Sequence, residues 1–282
     1  MPRTVRLTLD VAPGDRDLLV AELSDWGFDA FEETDDALVA YAPAARWDAT
    51  VREALNRRLG GAGWSEEVME DRDWNAAWEA TIRPLAAGPF VVAPSWAEVG
   101  PEHAGRVLLR IDPKMAFGTG YHESTRLVLR LLPDVVAPGA RVLDVGTGTG
   151  ILAIAALALG ASSAVGVDID PWSVTNGAEN AALNGVADRF EVREGSLDVV
   201  GEAGFDLVLA NIIRSVLVPM LPDLRDKAAS GGAVVLAGLL VTERDDVLDA
   251  ARRAGLGLEA EASENEWWAC ALRPAPVTAP AR

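Results

Sequence analysis

The chain has 282 residues, half of them hydrophobic, with 43 acidic against 25 basic side chains and a formal net charge of −18. The length predicts two domains with ample material for a core, and the charge argues against a surface that grips nucleic-acid phosphates. A single cysteine, Cys270, excludes an internal disulfide framework and fits a reducing cytoplasm; with His103 and His122 as the only histidines, no metal site is expected.

No apolar run reaches the length of a membrane span, and Met1–Asp10 has no apolar signal core, so a cytoplasmic protein without membrane contact is expected. The acidity leaves two readings open. It can steer a basic partner toward the chain, or it can reflect a saline environment, since Lys114 and Lys227 are the only lysines.

Residues 3–12 alternate apolar and polar, as in a half-buried strand. Pro13-Gly14-Asp15 opens a helix to about Trp26, with Gly27 as its stop. Residues 28–33 and 37–41 read as a hairpin around Thr34-Asp35-Asp36. Residues 45–59 form an amphipathic helix carrying Trp47, and 64–70 a last strand. The order β-α-β-β-α-β predicts a small ferredoxin-like α+β domain over residues 1–65, a fold that names no function by itself.

Residues 66–100 are expected to be a linker and lead-in segment. Trp74 and Trp78, four apart on one helix face, read as core packing at the domain junction rather than as a ligand platform. The second domain is expected over residues 101–282, with strands at 90–94 and 106–111 leading into it.

The segment Asp112-Pro-Lys-Met-Ala-Phe-Gly-Thr-Gly-Tyr-His-Glu-Ser-Thr125 follows. Gly118-Thr119-Gly120 is a turn just before a helix through 126–132. So many Gly, Thr and Ser residues supply backbone and hydroxyl hydrogen bonds, which a cofactor's amino-acid tail needs. His122 reads as a positioned structural group rather than a proton shuttle.

The next stretch organises the domain. Val142-Leu-Asp-Val145 is a buried strand, Gly146-Thr-Gly-Thr-Gly150 a loop with glycines at alternate positions, and residues 151–159 an all-apolar buried helix. A glycine-rich strand-to-helix turn lets a nucleotide-like ligand approach the backbone. The dinucleotide pattern G-x-G-x-x-G is not met, because Ile151 stands where it requires glycine. Asp144 would repel a pyrophosphate and suits a ligand with positive charge, such as the sulfonium and ammonium of S-adenosylmethionine. A second strand ends in Asp168, where a carboxylate can accept both ribose hydroxyls.

Asp170 can N-cap a helix with Pro171 at its first position, running to Leu183. Strands are expected at 190–194, 205–211 and 233–237, helices at 217–229 and 242–254, and an antiparallel pair at 256–262 and 267–273. Strands alternating with helices give a doubly wound α/β sheet. A ligand should lie across the carboxyl ends of its first and fourth strands, where Gly146 and Asn211 fall.

These segments together resemble the bacterial methyltransferases of ribosomal protein L11. The resemblance rests on Ala116-Phe-Gly-Thr-Gly-Tyr-His122, Val142-Leu-Asp-Val-Gly-Thr-Gly-Thr-Gly150, Gly166-Val-Asp-Ile-Asp-Pro171 and Ala210-Asn-Ile212, and it spans essentially the whole chain. It implies a Rossmann-like class I methyltransferase sheet, S-adenosylmethionine as cofactor and ribosomal protein L11 as partner. It also implies transfer to the N-terminal α-amine and to lysine side chains, with the small domain docking the substrate. The family's cofactor positions fall on Thr125, Gly146, Asp168 and Asn211, beside which Gly148, Phe117, Gly118 and Thr119 are expected to contact the cofactor. Where the family usually carries Thr, and then Pro-Thr, this chain has Tyr121 and Glu123-Ser124.

Transfer to an amine needs a neutral nitrogen aligned with methyl and sulfur. The side-chain carbonyl of Asn211, helped by the backbone carbonyl of Ile212, is expected to aim that lone pair and makes Asn211 the candidate catalytic residue. Two rival classes are a nicotinamide-dependent oxidoreductase, opposed by Ile151 and Asp144, and a non-catalytic docking protein, opposed by intact Asp168 and Asn211. A methyltransferase of another protein or of a small amine is the nearer alternative.

Overall fold

The structure, a computed structural model, describes residues 3–28, 30–34, 37–59, 63–70, 82–114 and 116–274. The chain forms two compact units, Met1–Thr81 and Ile82–Arg282.

In the first unit the elements are β1 (Arg3–Leu9), α1 (Pro13–Asp25), β2 (Ala30–Glu33), β3 (Leu38–Pro43), α2 (Ala49–Leu59) and β4 (Trp64–Glu70). The sheet order is β2-β3-β1-β4, with β1 antiparallel to β3 and β4. This is the ferredoxin-like arrangement. Val5, Leu7 and Leu9 alternate onto the inner face and pack with Leu19, Leu23 and Leu55 from the two helices. Asp48 accepts from the amide of Val51 at 3.0 Å, so α2 starts at Ala49 and Trp47 precedes it. Trp47 then meets Phe28 and Trp64 edge-on, and its indole donates to Glu66 at 2.8 Å. Because β4 pairs with β1 from Trp64 to Glu70, this sheet continues past residue 65. Trp74 and Trp78 lie outside the described residues.

In the second unit a three-stranded sheet of β5 (Leu85–Ala87), β6 (Phe90–Ala93) and β7 (Val107–Arg110) comes first. Residues 85–87 and 90–93 are therefore paired structure of this unit. Then follow α3 (Glu123–Val135), β8 (Arg141–Val145), α4 (Ile151–Ala158), β9 (Ser163–Asp168), α5 (Pro171–Leu183), β10 (Phe190–Glu194), β11 (Phe205–Asn211) and α6 (Arg214–Lys227). The chain continues through β12 (Ala228–Leu240), α7 (Arg244–Arg253), β13 (Leu256–Glu264) and β14 (Trp267–Pro274).

The main sheet runs β10-β9-β8-β11-β12-β14-β13. Its first five strands are parallel, and β14 inserts antiparallel between β12 and β13. Successive strand residues feed opposite faces. Val142, Leu207, Leu209 and Val235 join α3 and α4 on one side, while Leu143, Val145, Val208 and Leu236 join α6 and α7 on the other. Cover on both faces accounts for the continuous apolar runs of the central parallel strands, residues 207–210 in β11 and 233–237 in β12. Chain order reverses between β8 and β11, which opens a crevice at their carboxyl ends.

Candidate active site

The glycine turn after β8 owes its spacing to backbone geometry. Gly146, Gly148 and Gly150 all have positive φ, at 69°, 54° and 79°, a region that side chains disfavour. A Cβ on Gly148 would also lie 2.3 Å from the carbonyl oxygen of Phe117. That close approach is a tether. The amide of Thr149 donates to the Phe117 carbonyl at 2.9 Å, and its hydroxyl to the Gly118 carbonyl at 2.6 Å. The turn and the loop before α3 are thus fastened together.

Asp144 does not face the ligand cavity, contrary to expectation. It is fully buried and accepts from the Thr147 hydroxyl at 2.8 Å and the Ala153 amide at 3.3 Å. It clasps the turn onto the first turn of α4, leaving Oδ1 without a partner. Burial pushes its carboxyl up to about 7, against the two hydrogen bonds, and the charge of Asp168 adds to the rise.

Asp168 closes β9. It accepts from the amides of Gly148 at 2.9 Å and Asp170 at 3.1 Å, one on each oxygen. A carboxylate offers about four acceptor positions, so capacity remains for two hydroxyls. Asp170 caps α5 as expected, accepting from the amides of Trp172 and Ser173 and from the Ser173 hydroxyl. At the end of β11, Asn211 directs Nδ2 toward the Thr125 hydroxyl at 3.4 Å, while its Oδ1 is buried without a partner.

These groups surround a cavity of about 440 Å³, lined by Phe117, His122, Ser124, Gly146, Gly148, Asp168, Asp170, Ser173, Asn211, Ile212, Ile213, Gly238 and Trp267. The size suits a cofactor-class ligand. The unpartnered amide oxygen and the spare acceptors of Asp168 fit S-adenosylmethionine beside an acceptor group.

A sequence model of the family described as ribosomal protein L11 methyltransferase (PrmA) matches residues 29–274. The chain belongs to this family. It is similar to the ribosomal protein L11 methyltransferase of Porphyromonas gingivalis, 39% identical over 285 residues that cover 96% of this chain and 94% of that one. The Symbiobacterium thermophilum protein of the same name is 44% identical over 209 residues, 74% of this chain and 67% of its own. Among solved structures, the ribosomal protein L11 methylase of Lactobacillus delbrueckii subsp. bulgaricus superposes with a TM-score of 0.63 at 30% identity, covering 69% of this chain and all of that one. As a ribosomal protein L11 methyltransferase, the chain is an S-adenosylmethionine-dependent enzyme that methylates L11.

The expected site residues separate into two groups. Phe117, Gly146, Gly148, Asp168 and Asn211 line the cavity. Thr125 is fully buried behind Asn211, whose amide it fixes. Gly118 is held on Thr149, and the Thr119 hydroxyl accepts from the amide of Tyr121 at 3.3 Å. His122 accepts the Ser124 amide on Nδ1 at the start of α3, and its ring lines the cavity. Sequence reasoning missed Ser124, Asp170, Ser173, Ile213, Gly238 and Trp267 as wall residues. Ser124, Ser173 and Ile213 sit one to three residues past strand ends or helix caps, which is a usable signal, whereas Trp267 gave none. Among the described residues no cluster of metal-binding side chains occurs, and no helix is long and apolar enough to cross a membrane.

Proposed function

We propose that this cavity transfers methyl groups to the N-terminal α-amine and lysine ε-amines of L11, with Asn211 as the residue that orients the amine. The observation that carries this reading is the buried, unpartnered Oδ1 of Asn211 at the switch point of the sheet. An unsatisfied acceptor in such a place costs roughly 1–3 kcal/mol unless a ligand completes it.

When bound, S-adenosylmethionine supplies a methyl on a sulfonium that leaves without acid assistance. The chain's own residues then have to bind, align and exclude water. Asp168 accepts ribose hydroxyls with the lone pairs its two amide contacts leave free. The turn at Gly146–Gly150 presents backbone without side chains, and Phe117 covers it from the tethered loop. The Thr125 hydroxyl holds Nδ2 of Asn211, so the amide oxygen is the atom that faces an incoming N–H. Accepting that N–H, with the Ile212 carbonyl as a second acceptor, aims the nitrogen lone pair. Only the neutral amine reacts, and with reference values near 8 for an α-amine and about 10.4 for lysine the proton has to leave to solvent before transfer.

Among its described residues the first unit has no glycine turn leading from a strand into a helix, and the role proposed for it is to dock L11. Docking raises the local concentration of several amines around one site. The work takes place in the cytoplasm, without membrane or direct nucleic-acid contact. The test is mass spectrometry of purified L11 after incubation with the enzyme and labelled S-adenosylmethionine. Label on the N-terminal residue and on lysines is expected; label confined to other side chains overturns the amine reading.

A further inference from the structure

Glu264 and Trp267 are the closing pair of the β13–β14 hairpin, joined through Asn265, whose φ is 53°, and Glu266. The N-terminal turns of α3 hold the tip of this hairpin at Glu264 and Asn265. Arg126 donates through Nε to Glu264 at 2.9 Å, Arg130 reaches the other carboxylate oxygen at 2.8 Å, and Asn265 donates to Glu123 at 3.1 Å. Arg126 also donates to the carbonyl of Tyr121. With 13% and 22% of their side chains exposed, Arg126 and Glu264 are largely shielded from solvent and salt.

The other member of the closing pair faces the cavity. The ring of Trp267 meets the ring of His122 edge-on at 4.4 Å, and both line the cavity with Asn211. His122 is in turn fixed by its own cap on α3. Strand order places these groups along one line, with Asp168 on β9, Asn211 on β11 and Trp267 on β14. If Asp168 marks the ribose end and Asn211 the transfer point, the wall beyond Asn211 faces the acceptor.

We infer that the Arg126–Glu264 ion pair is a positioning device for the acceptor amine, holding Trp267 against His122 as the wall on which the amine's carbon stem packs. This rests on the reading of Asn211 as the transfer point. The chemistry of the wall agrees with it. Ring faces accept methylene groups and tolerate a passing cation, whereas a carboxylate there would pair with the ammonium and keep it protonated. The two acids in the cavity, Asp168 and Asp170, both stand at the β9 end and both accept backbone amides.

The test is a double-mutant cycle in the full-length enzyme: W267A, E264Q and W267A/E264Q. Each is assayed on a peptide carrying the L11 N-terminus, with the cofactor Kd measured by calorimetry. W267A should raise the peptide KM about tenfold with the cofactor Kd within about twofold. E264Q should reproduce most of that loss, and the double variant should be no worse than W267A, because Glu264 acts through Trp267. If E264Q lowers Tm enough to obscure kinetics, E264D retracts the carboxylate while keeping the charge. Additive losses, an unchanged peptide KM in the Glu264 variants, or a parallel loss of cofactor affinity each overturn the inference. A wild-type enzyme that transfers nothing to the peptide, yet methylates L11 at other side chains, overturns the reading of Asn211 instead.

Discussion

Asn211 and Thr125 lie 86 residues apart in the chain, yet Nδ2 of one stands 3.4 Å from the hydroxyl of the other. The contact decides which end of the amide faces the cavity. Replacing Asn211 by Ala should lower kcat about a hundredfold and leave the cofactor Kd nearly unchanged, because the lost interaction acts on the attacking amine. Thr125→Val should lower kcat less, by about tenfold, since the amide survives but can rotate. Saturation kinetics beside calorimetry separates the two effects. Loss of cofactor affinity at normal kcat in N211A would make Asn211 a cofactor residue.

Asp168→Ala should weaken S-adenosylmethionine by about a hundredfold, because ribose hydroxyls and the Gly148 amide lose an acceptor together. Asp168→Asn keeps one acceptor oxygen and should lose less. Calorimetry on folded variants checks the order, and an unchanged Kd in D168A removes Asp168 from the site.

The buried carboxyl of Asp144, pushed up to about 7 by burial from the ordinary aspartate range, makes stability depend on pH. The folded state holds this proton where the unfolded chain has released it, so stability falls as pH rises from about 4 to about 7 and is level above that. The amount is on the order of 4 kcal/mol at most. Asp144→Asn should remove this slope, so that the variant gains on the wild type in Tm as pH rises from 5 to 8. Parallel Tm profiles for the two proteins would mean that Asp144 is already ionised at pH 5.

Thr149→Val should free the loop at Phe117–Gly118 from the glycine turn. The hydroxyl donates to the Gly118 carbonyl in a fully buried position, and a buried carbonyl left unpaired costs about 1–3 kcal/mol. Hydrogen exchange of residues 118–121 should quicken, and cofactor affinity should fall with it. Unaltered exchange would show that the Thr149 amide contact alone secures the loop.

The second unit alone, begun at Ile82, should bind S-adenosylmethionine with near-normal affinity, since every cavity residue lies within it. If the first unit docks L11, this fragment should methylate intact L11 poorly and a short L11 peptide almost as well as the full chain. Equal losses on both substrates would give the first unit a part in shaping the site.

The sequence by itself determined the parts of the site that depend on local backbone. Gly146, Gly148 and Gly150 are glycines because each takes a positive φ, and Asp168 and Asn211 are readable because strands end at them. The same holds for the Asp170 cap and for the ferredoxin-like order of the first unit. Tertiary structure alone decided where those parts point. Asp144 is next to the turn in sequence, yet its side chain closes under the turn onto the Ala153 amide and leaves the ligand side. Trp267 starts the last strand, and only the insertion of β14 between β12 and β13 carries it to the cavity. Thr125 meets Asn211 through one hydrogen bond, and Arg126 meets Glu264 across 138 residues through an ion pair, contacts that leave no periodic trace. Periodicity and capping report what a residue does to its own backbone; contacts between distant segments are set by strand order and register, which no local pattern encodes.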